Sequence, residues 1–206
     1  AGQLSSGMKT IFSTERSLAA LKTDGSVVTW GYASFGGDSS QVAEALSSGV
    51  KTIFSAVQAY AAVKEDGSVV TWGSALYGGD SKAVQPLNLG GSGSGPVFST
   101  GRAFAALRAN GSAVTWGDAK YGGDSSQVAS QLTSGVQTIF STGYAFAALK
   151  DDGSVVTWGS ATNGGDSSAV AGSLTSGVQT IFSNNGAFAA LKDDGSGVTW
   201  GGGGMG

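Results

Sequence analysis

A tryptophan recurs five times along this chain of 206 residues: Trp30, Trp72, Trp116, Trp158 and Trp200, in steps of 42, 44, 42 and 42. Each one closes the same phrase, an Asp-Gly-Ser or Asn-Gly-Ser turn followed by a short apolar segment ending in Val-Thr-Trp. A unit of this size cannot bury its own apolar face. It must stack on its neighbours, so the period decides the architecture. The chain is read as one repeat domain, 1–206, with copies at 8–49, 50–93, 94–135, 136–177 and 178–206, the last completed by 1–7.

The fourth copy reads most clearly. Val136–Ser141 and Val155–Trp158 are β-branched enough for strands, and Phe146–Lys150 lies between them. Asp152-Gly153 supplies the tight turn, since both residues tolerate the positive φ it needs. Three strands in antiparallel meander follow. The linker is harder to read. In the first copy Asp38 or Ser39 can cap, Val42 and Leu46 are four apart, and Gly49 stops the segment. One or two helical turns are expected, with a short fourth strand as the alternative; Gly172 in the fourth copy weakens the helix. The middle strands carry Ala pairs such as Ala19-Ala20 and Ala147-Ala148, which let neighbouring sheets come close. Both prolines, Pro86 and Pro96, fall at one junction, where a helix is disfavoured and the next strand should be shortened.

These units resemble the repeats of the RCC1 family, the propellers related to regulator of chromosome condensation. The matching residues are the Ala-Leu-Lys of the middle strand, the Asp-Gly turn and the Val-x-Thr-Trp-Gly strand. The family's His before the middle strand is absent, and Gly-Gly-Asp-Ser replaces its Gly-Gln-Leu-Gly. The resemblance, to a family of seven-bladed propellers, implies an all-β propeller, and the five copies set the expectation of five blades, each with three antiparallel strands plus a short helix or fourth strand. Ala1–Gly7 aligns with Ala171–Gly177 and Gly206 with Gly164, which points to a ring closed by the termini; an open solenoid is the alternative.

Chemistry has little to work with. There is no His and no Cys, so the commonest bases, nucleophiles and metal ligands are missing. No cofactor or metal is expected, and no enzyme. The recurring acids, Asp24, Asp66, Asp152 and Asp194 with Asp38, Asp80, Asp124 and Asp166, read as turn and capping residues. Asp151-Asp152 lacks the alternating oxygen ligands of a calcium loop. The net charge of −3 has no Lys/Arg block, which argues against nucleic acid. No apolar run is long enough for a membrane span. Lys22, Lys64, Arg108, Lys150 and Lys192 recur at one position and are expected to be solvated or paired with a nearby Asp.

Subtracting the shared pattern leaves two loops per unit, both on the side opposite the Asp-Gly-Ser turns. The first varies around Arg16, Gln58, Arg102, Tyr144 and Gly186, and the second around Tyr32, Phe35, Tyr77, Lys120 and Tyr121. Arg and aromatic residues are the types favoured at protein interfaces. The candidate partner-binding set is therefore Arg16, Tyr32, Phe35, Tyr77, Arg102, Lys120, Tyr121 and Tyr144. The expected role is a protein–protein interaction scaffold, an accessory subunit docked on a larger assembly. Similar Gly-Gly-Asp-Ser arrays occur in single-celled algae, and that resemblance adds two further expectations. One is an extrinsic subunit peripherally associated with an organellar membrane complex. The other, as the chain starts at Ala1, is a processed mature form in an organelle lumen or extracytoplasmic space. A carbohydrate-binding lectin is the first alternative. Guanine-nucleotide exchange, by family analogy alone, is the second.

Overall fold

A computed structural model describes residues 7–87, 89 and 97–202. It contains five three-stranded antiparallel sheets, one per repeat, each in sequence order. They are β1–β3 (Met8–Ser13, Ser17–Lys22, Val27–Gly31), β4–β6 (Val50–Ser55, Ala59–Lys64, Val69–Gly73), β7–β9 (Val97–Ser99, Ala103–Leu107, Ala113–Gly117), β10–β12 (Val136–Ser141, Ala145–Lys150, Val155–Gly159) and β13–β15 (Val178–Ser183, Ala187–Lys192, Gly197–Gly201). Five meander sheets in sequence order match the five blades expected. Strand β7 is half the length of its counterparts, as the flanking Pro96 predicts. Among the described residues the linkers form short 3-10 helices, such as Ser40–Val42, Lys82–Val84, Ser126–Gln131 and Ser168–Leu174, and no fourth strand. Gly172 sits inside the last of these without ending it. The seam expected between residues 1–7 and 206 falls almost wholly outside the described residues.

The core lies between the units. Four apolar clusters each join one unit to the next. Between the first and second units, Ala19, Leu21 and Leu46 meet Ile53, Tyr60, Ala62 and Trp72. The alternation of β-strands sends Ala19 and Leu21 forward to the next unit and Leu18 and Ala20 backward. The alanines are fully buried, so the facing sheets come as close as their backbones allow.

Each junction repeats one constellation. Trp72, Trp116, Trp158 and Trp200 stack on Tyr60, Phe104, Phe146 and Phe188, with centroids 5.0 to 5.4 Å apart. Each indole Nε1 then donates to a glycine carbonyl of the preceding unit at 3.0 or 3.1 Å: Gly36, Gly78, Gly122 and Gly164. Those glycines have φ between +90° and +100°, and a Cβ on Gly122 would come within 2.6 Å of the Phe146 ring. Only glycine meets both demands. In a closed ring the acceptor for Trp30 would be Gly206, outside the described residues.

The other shared residues hold the unit together. Thr29, Thr115 and Thr157 donate to the second glycine of each Gly-Gly pair at 3.1 Å. Asp38, Asp80, Asp124 and Asp166 accept the amide two residues on, which starts each 3-10 helix. Lys64, Lys150 and Lys192 each donate to a linker carbonyl 19 residues earlier, at 2.8 Å. The expected Lys–Asp pairing is found at this position only for Lys22 and Asp24, at 3.8 Å, among the described residues.

The turn acids have a stability consequence. The Ser26 hydroxyl and amide hold the Asp24 carboxyl below its ordinary value; Ser68, Ser154 and Ser196 do the same for Asp66, Asp152 and Asp194. Backbone N–H groups lower Asp38, Asp124 and Asp166 likewise. A carboxyl with a depressed folded pKa stabilises above the unfolded value of 3.8, and that contribution is lost as pH falls through the folded one. No histidine titrates between. The melting temperature should be flat from about pH 5 to 8 and fall below about pH 4, which a pH series of thermal scans would check.

Candidate functional site

In three of the five units a threonine draws the two variable loops together; the second unit has Ala56 and the fifth Asn184 at that position. In the third unit Thr100 Oγ1 accepts the Ala103 amide at 3.0 Å and donates to the Tyr121 carbonyl at 3.0 Å. Thr14 and Thr142 tie Phe35 and Asn163 in the same way. A second set of bonds joins the units. The Glu15 amide donates to the Val57 carbonyl, Val57 to Gly101, Gly101 to Gly143 and Gly143 to Asn185, at 2.9 to 3.0 Å. The backbone of this face is therefore fixed and regular, and only the side chains differ.

Seven of the eight candidate residues gather into two groups on it. In the first unit the Arg16 guanidinium lies 5.2 Å from the centroid of Phe35, and Tyr32 meets Phe35 edge-on at 5.4 Å. In the second group Arg102 is held between Tyr77, at 4.8 Å, and Tyr121, at 4.7 Å. Tyr121 in turn lies 5.2 Å from Tyr144. That group draws on the second, third and fourth units. Arg102 also reaches Asp118 at 3.8 Å and keeps 41% of its side chain exposed. Tyr77 and Tyr121 bury one side against the inter-unit clusters and present the other to Arg102. Lys120 stands apart, exposed on a short helix whose start is capped by the Asp118 carboxylate.

A groove of about 330 Å³ runs along the second group, lined also by Glu15, Val57, Gln58 and Asn185. All four lie in the first variable loop but were outside the candidate set, because the ladder that aligns Glu15, Val57 and Asn185 joins backbone atoms 42 or 44 residues apart and leaves no side-chain signal. Two exposed apolar residues border the group as well: Val57 at 39% and Leu76 at 74%. Larger grooves, of about 740, 610 and 470 Å³, lie between the outer parts of successive units. They recur from junction to junction, as a by-product of packing does, whereas the groove beside Arg102 draws on all five units.

No protein-family model matches the chain. No curated protein matches it significantly in sequence. Solved structures do match in shape. The ectodomain of the Physcomitrella patens receptor kinase CR4 superposes with a TM-score of 0.53 at 15% identity, covering 94% of this chain and 50% of that one. Human WBSCR16 gives 0.55 at 18%, covering 94% and 61%. Prp20p from Saccharomyces cerevisiae gives 0.53 at 14%, covering 94% and 57%. The chain thus spans about half to three-fifths of the length of these proteins. Identities this low speak to fold alone. With five meander sheets joined in sequence order and that likeness, the chain has the fold of RCC1-like β-propeller repeats.

Proposed function

We propose that this protein is a non-catalytic docking scaffold that binds a protein partner on its variable-loop face, as an accessory subunit of a larger assembly. One observation carries the reading: the backbone of that face repeats bond for bond while its side chains do not. Here a regular frame displays Arg, Tyr and apolar groups side by side on the loop side, which is how a specific docking surface is built. The opposite side carries Asp-Gly-Ser turns whose carboxylates are already engaged with their own serines.

Protein binding is known for this fold. Prp20p is described with Gsp1p and histones, and yeast RCC1 was solved bound to Kap60. A lectin would need five like sites, and the equivalent loop residues are Arg16, Gln58, Arg102, Tyr144 and Gly186. An organellar membrane complex is one assembly that such a subunit could serve, and no helix among the described residues is long and apolar enough to cross a membrane.

The test is a binding comparison between faces. Arg102→Ala with Tyr121→Ala is expected to weaken partner capture from source-cell extract at least about tenfold, the scale of a hot-spot loss. Asp151→Ser, on the turn side, should leave it unchanged. Equal capture by all three proteins would remove the proposal.

A further inference from the structure

The third unit departs from the others at its turn. Four units read Asp-Gly-Ser, at Asp24, Asp66, Asp152 and Asp194, and the third reads Asn110-Gly111-Ser112. That change creates an Asn-x-Ser acceptor sequence with a middle residue other than proline, the pattern that receives an N-linked glycan. It is the single instance in the sequence. Asn88, Asn163, Asn184 and Asn185 have Gly90, Gly165, Gly186 and Ala187 two residues on.

The turn keeps the geometry of its relatives. Asn110 Oδ1 accepts the Ser112 amide at 3.0 Å and the Ser112 hydroxyl at 2.7 Å, as Asp24 Oδ1 accepts those of Ser26 at 2.9 and 2.6 Å. One oxygen thus holds the turn. Where the aspartates have a second oxygen, Asn110 has Nδ2, which makes no hydrogen bond among the described residues. Asn110 is exposed, whereas Ser112 is buried. The turn is also pinned to the next unit, the Gly111 carbonyl accepting the Val136 amide at 2.9 Å. The free amide nitrogen is therefore presented at the surface from a fixed turn, on the side away from the variable loops.

We propose that Asn110 is a site of N-linked glycosylation. In the step, its amide nitrogen attacks the anomeric carbon of an oligosaccharide carried on a lipid diphosphate, the co-substrate of a membrane-bound transferase. A nitrogen–carbon bond forms and the sugar–phosphate carbon–oxygen bond breaks. The lipid diphosphate leaves with the bonding pair, and the amide proton passes to a base of the transferase. The Asn110 carbonyl is untouched and keeps its acceptor lone pairs. Both bonds from Ser112 therefore survive the modification, and the glycosylated chain folds with the same turn. An aspartate serves the turn in four units, but only the amide also supplies a nitrogen. The glycan adds bulk opposite the variable loops and leaves Arg102 and Tyr121 open to a partner. The assignment requires that the chain enter the compartment that holds the transferase, so it carries an extracytoplasmic location with it.

Mass spectrometry of the native protein, purified from source cells, tests this. Trypsin, cutting after Arg108 and Lys120, isolates residues 109–120. That peptide should carry the mass of a glycan, and enzymatic release of the glycan in heavy-oxygen water should leave a labelled aspartate in place of Asn110. Two variants made in the same cells should lose the glycan: Asn110→Asp, which restores the turn of the other units, and Ser112→Ala, which keeps the asparagine. Ser112→Thr should retain it. A native peptide with unmodified Asn110, or with unlabelled aspartate from simple deamidation, would overturn the proposal. So would an Asn110→Asp protein that still carries the glycan.

Discussion

Gly122→Ala is expected to destabilise the protein by about 2–5 kcal/mol, the sum of left-handed strain and overpacking in a close-packed core. The residue has φ +91°, and an added Cβ would lie 2.6 Å from the Phe146 ring and 3.4 Å from Trp158. That ring cannot retreat, because Phe146 is fully buried and stacked on Trp158. Urea unfolding should show a markedly lower midpoint. Gly172→Ala is the control. Nothing lies within 4 Å of its added Cβ and its φ is not positive, so stability should rise by about 0.4–1 kcal/mol through the unfolded chain. Equal midpoints for the two variants would show that the Gly-Gly turn does not lock the units together.

Trp158→Ala is expected to cost about 3–5 kcal/mol, as large-to-small changes in a core do. It also leaves the Gly122 carbonyl without its indole donor, which adds on the order of 1 kcal/mol. Trp30→Ala should cost much less, about 1–2 kcal/mol, since Trp30 is only partly buried and only part of its transfer free energy is at stake. The comparison is informative because the two residues end nearly identical phrases. Chemical denaturation of both variants measures it, and equal costs would mean that the first unit is covered in solution.

Much of the fold was legible because it depends on local chemistry repeated in register. The tryptophan period marked the units, the Asp-Gly pairs marked the turns, and Pro96 foretold the short strand Val97–Ser99. The linker was less legible. A few residues of 3-10 helix leave no amphipathic period, so helix and strand could not be told apart from Val42 and Leu46. The partners of the recurring groups were hidden as well. The lysines bind carbonyls 19 residues back and the tryptophans bind carbonyls 36 or 38 back, and a carbonyl has no letter in the sequence. The candidate site was found by subtraction, and seven of its residues do meet. What subtraction could not supply was the pairing. That Tyr77 of one unit and Tyr121 of the next enclose a single arginine, Arg102, depends on the spacing of whole units.

The central claim is that one half of each repeat is structural and that the loop face meets the partner. Hydroxyl-radical footprinting of the protein, free and in the complex captured from source-cell extract, tests it most directly. The account predicts protection at Tyr77, Arg102, Tyr121 and Tyr144, with Val57 and Leu76 beside them. Protection confined to the turns at Asp24, Asp66, Asp152 and Asp194, with those tyrosines as reactive as in the free protein, would contradict it.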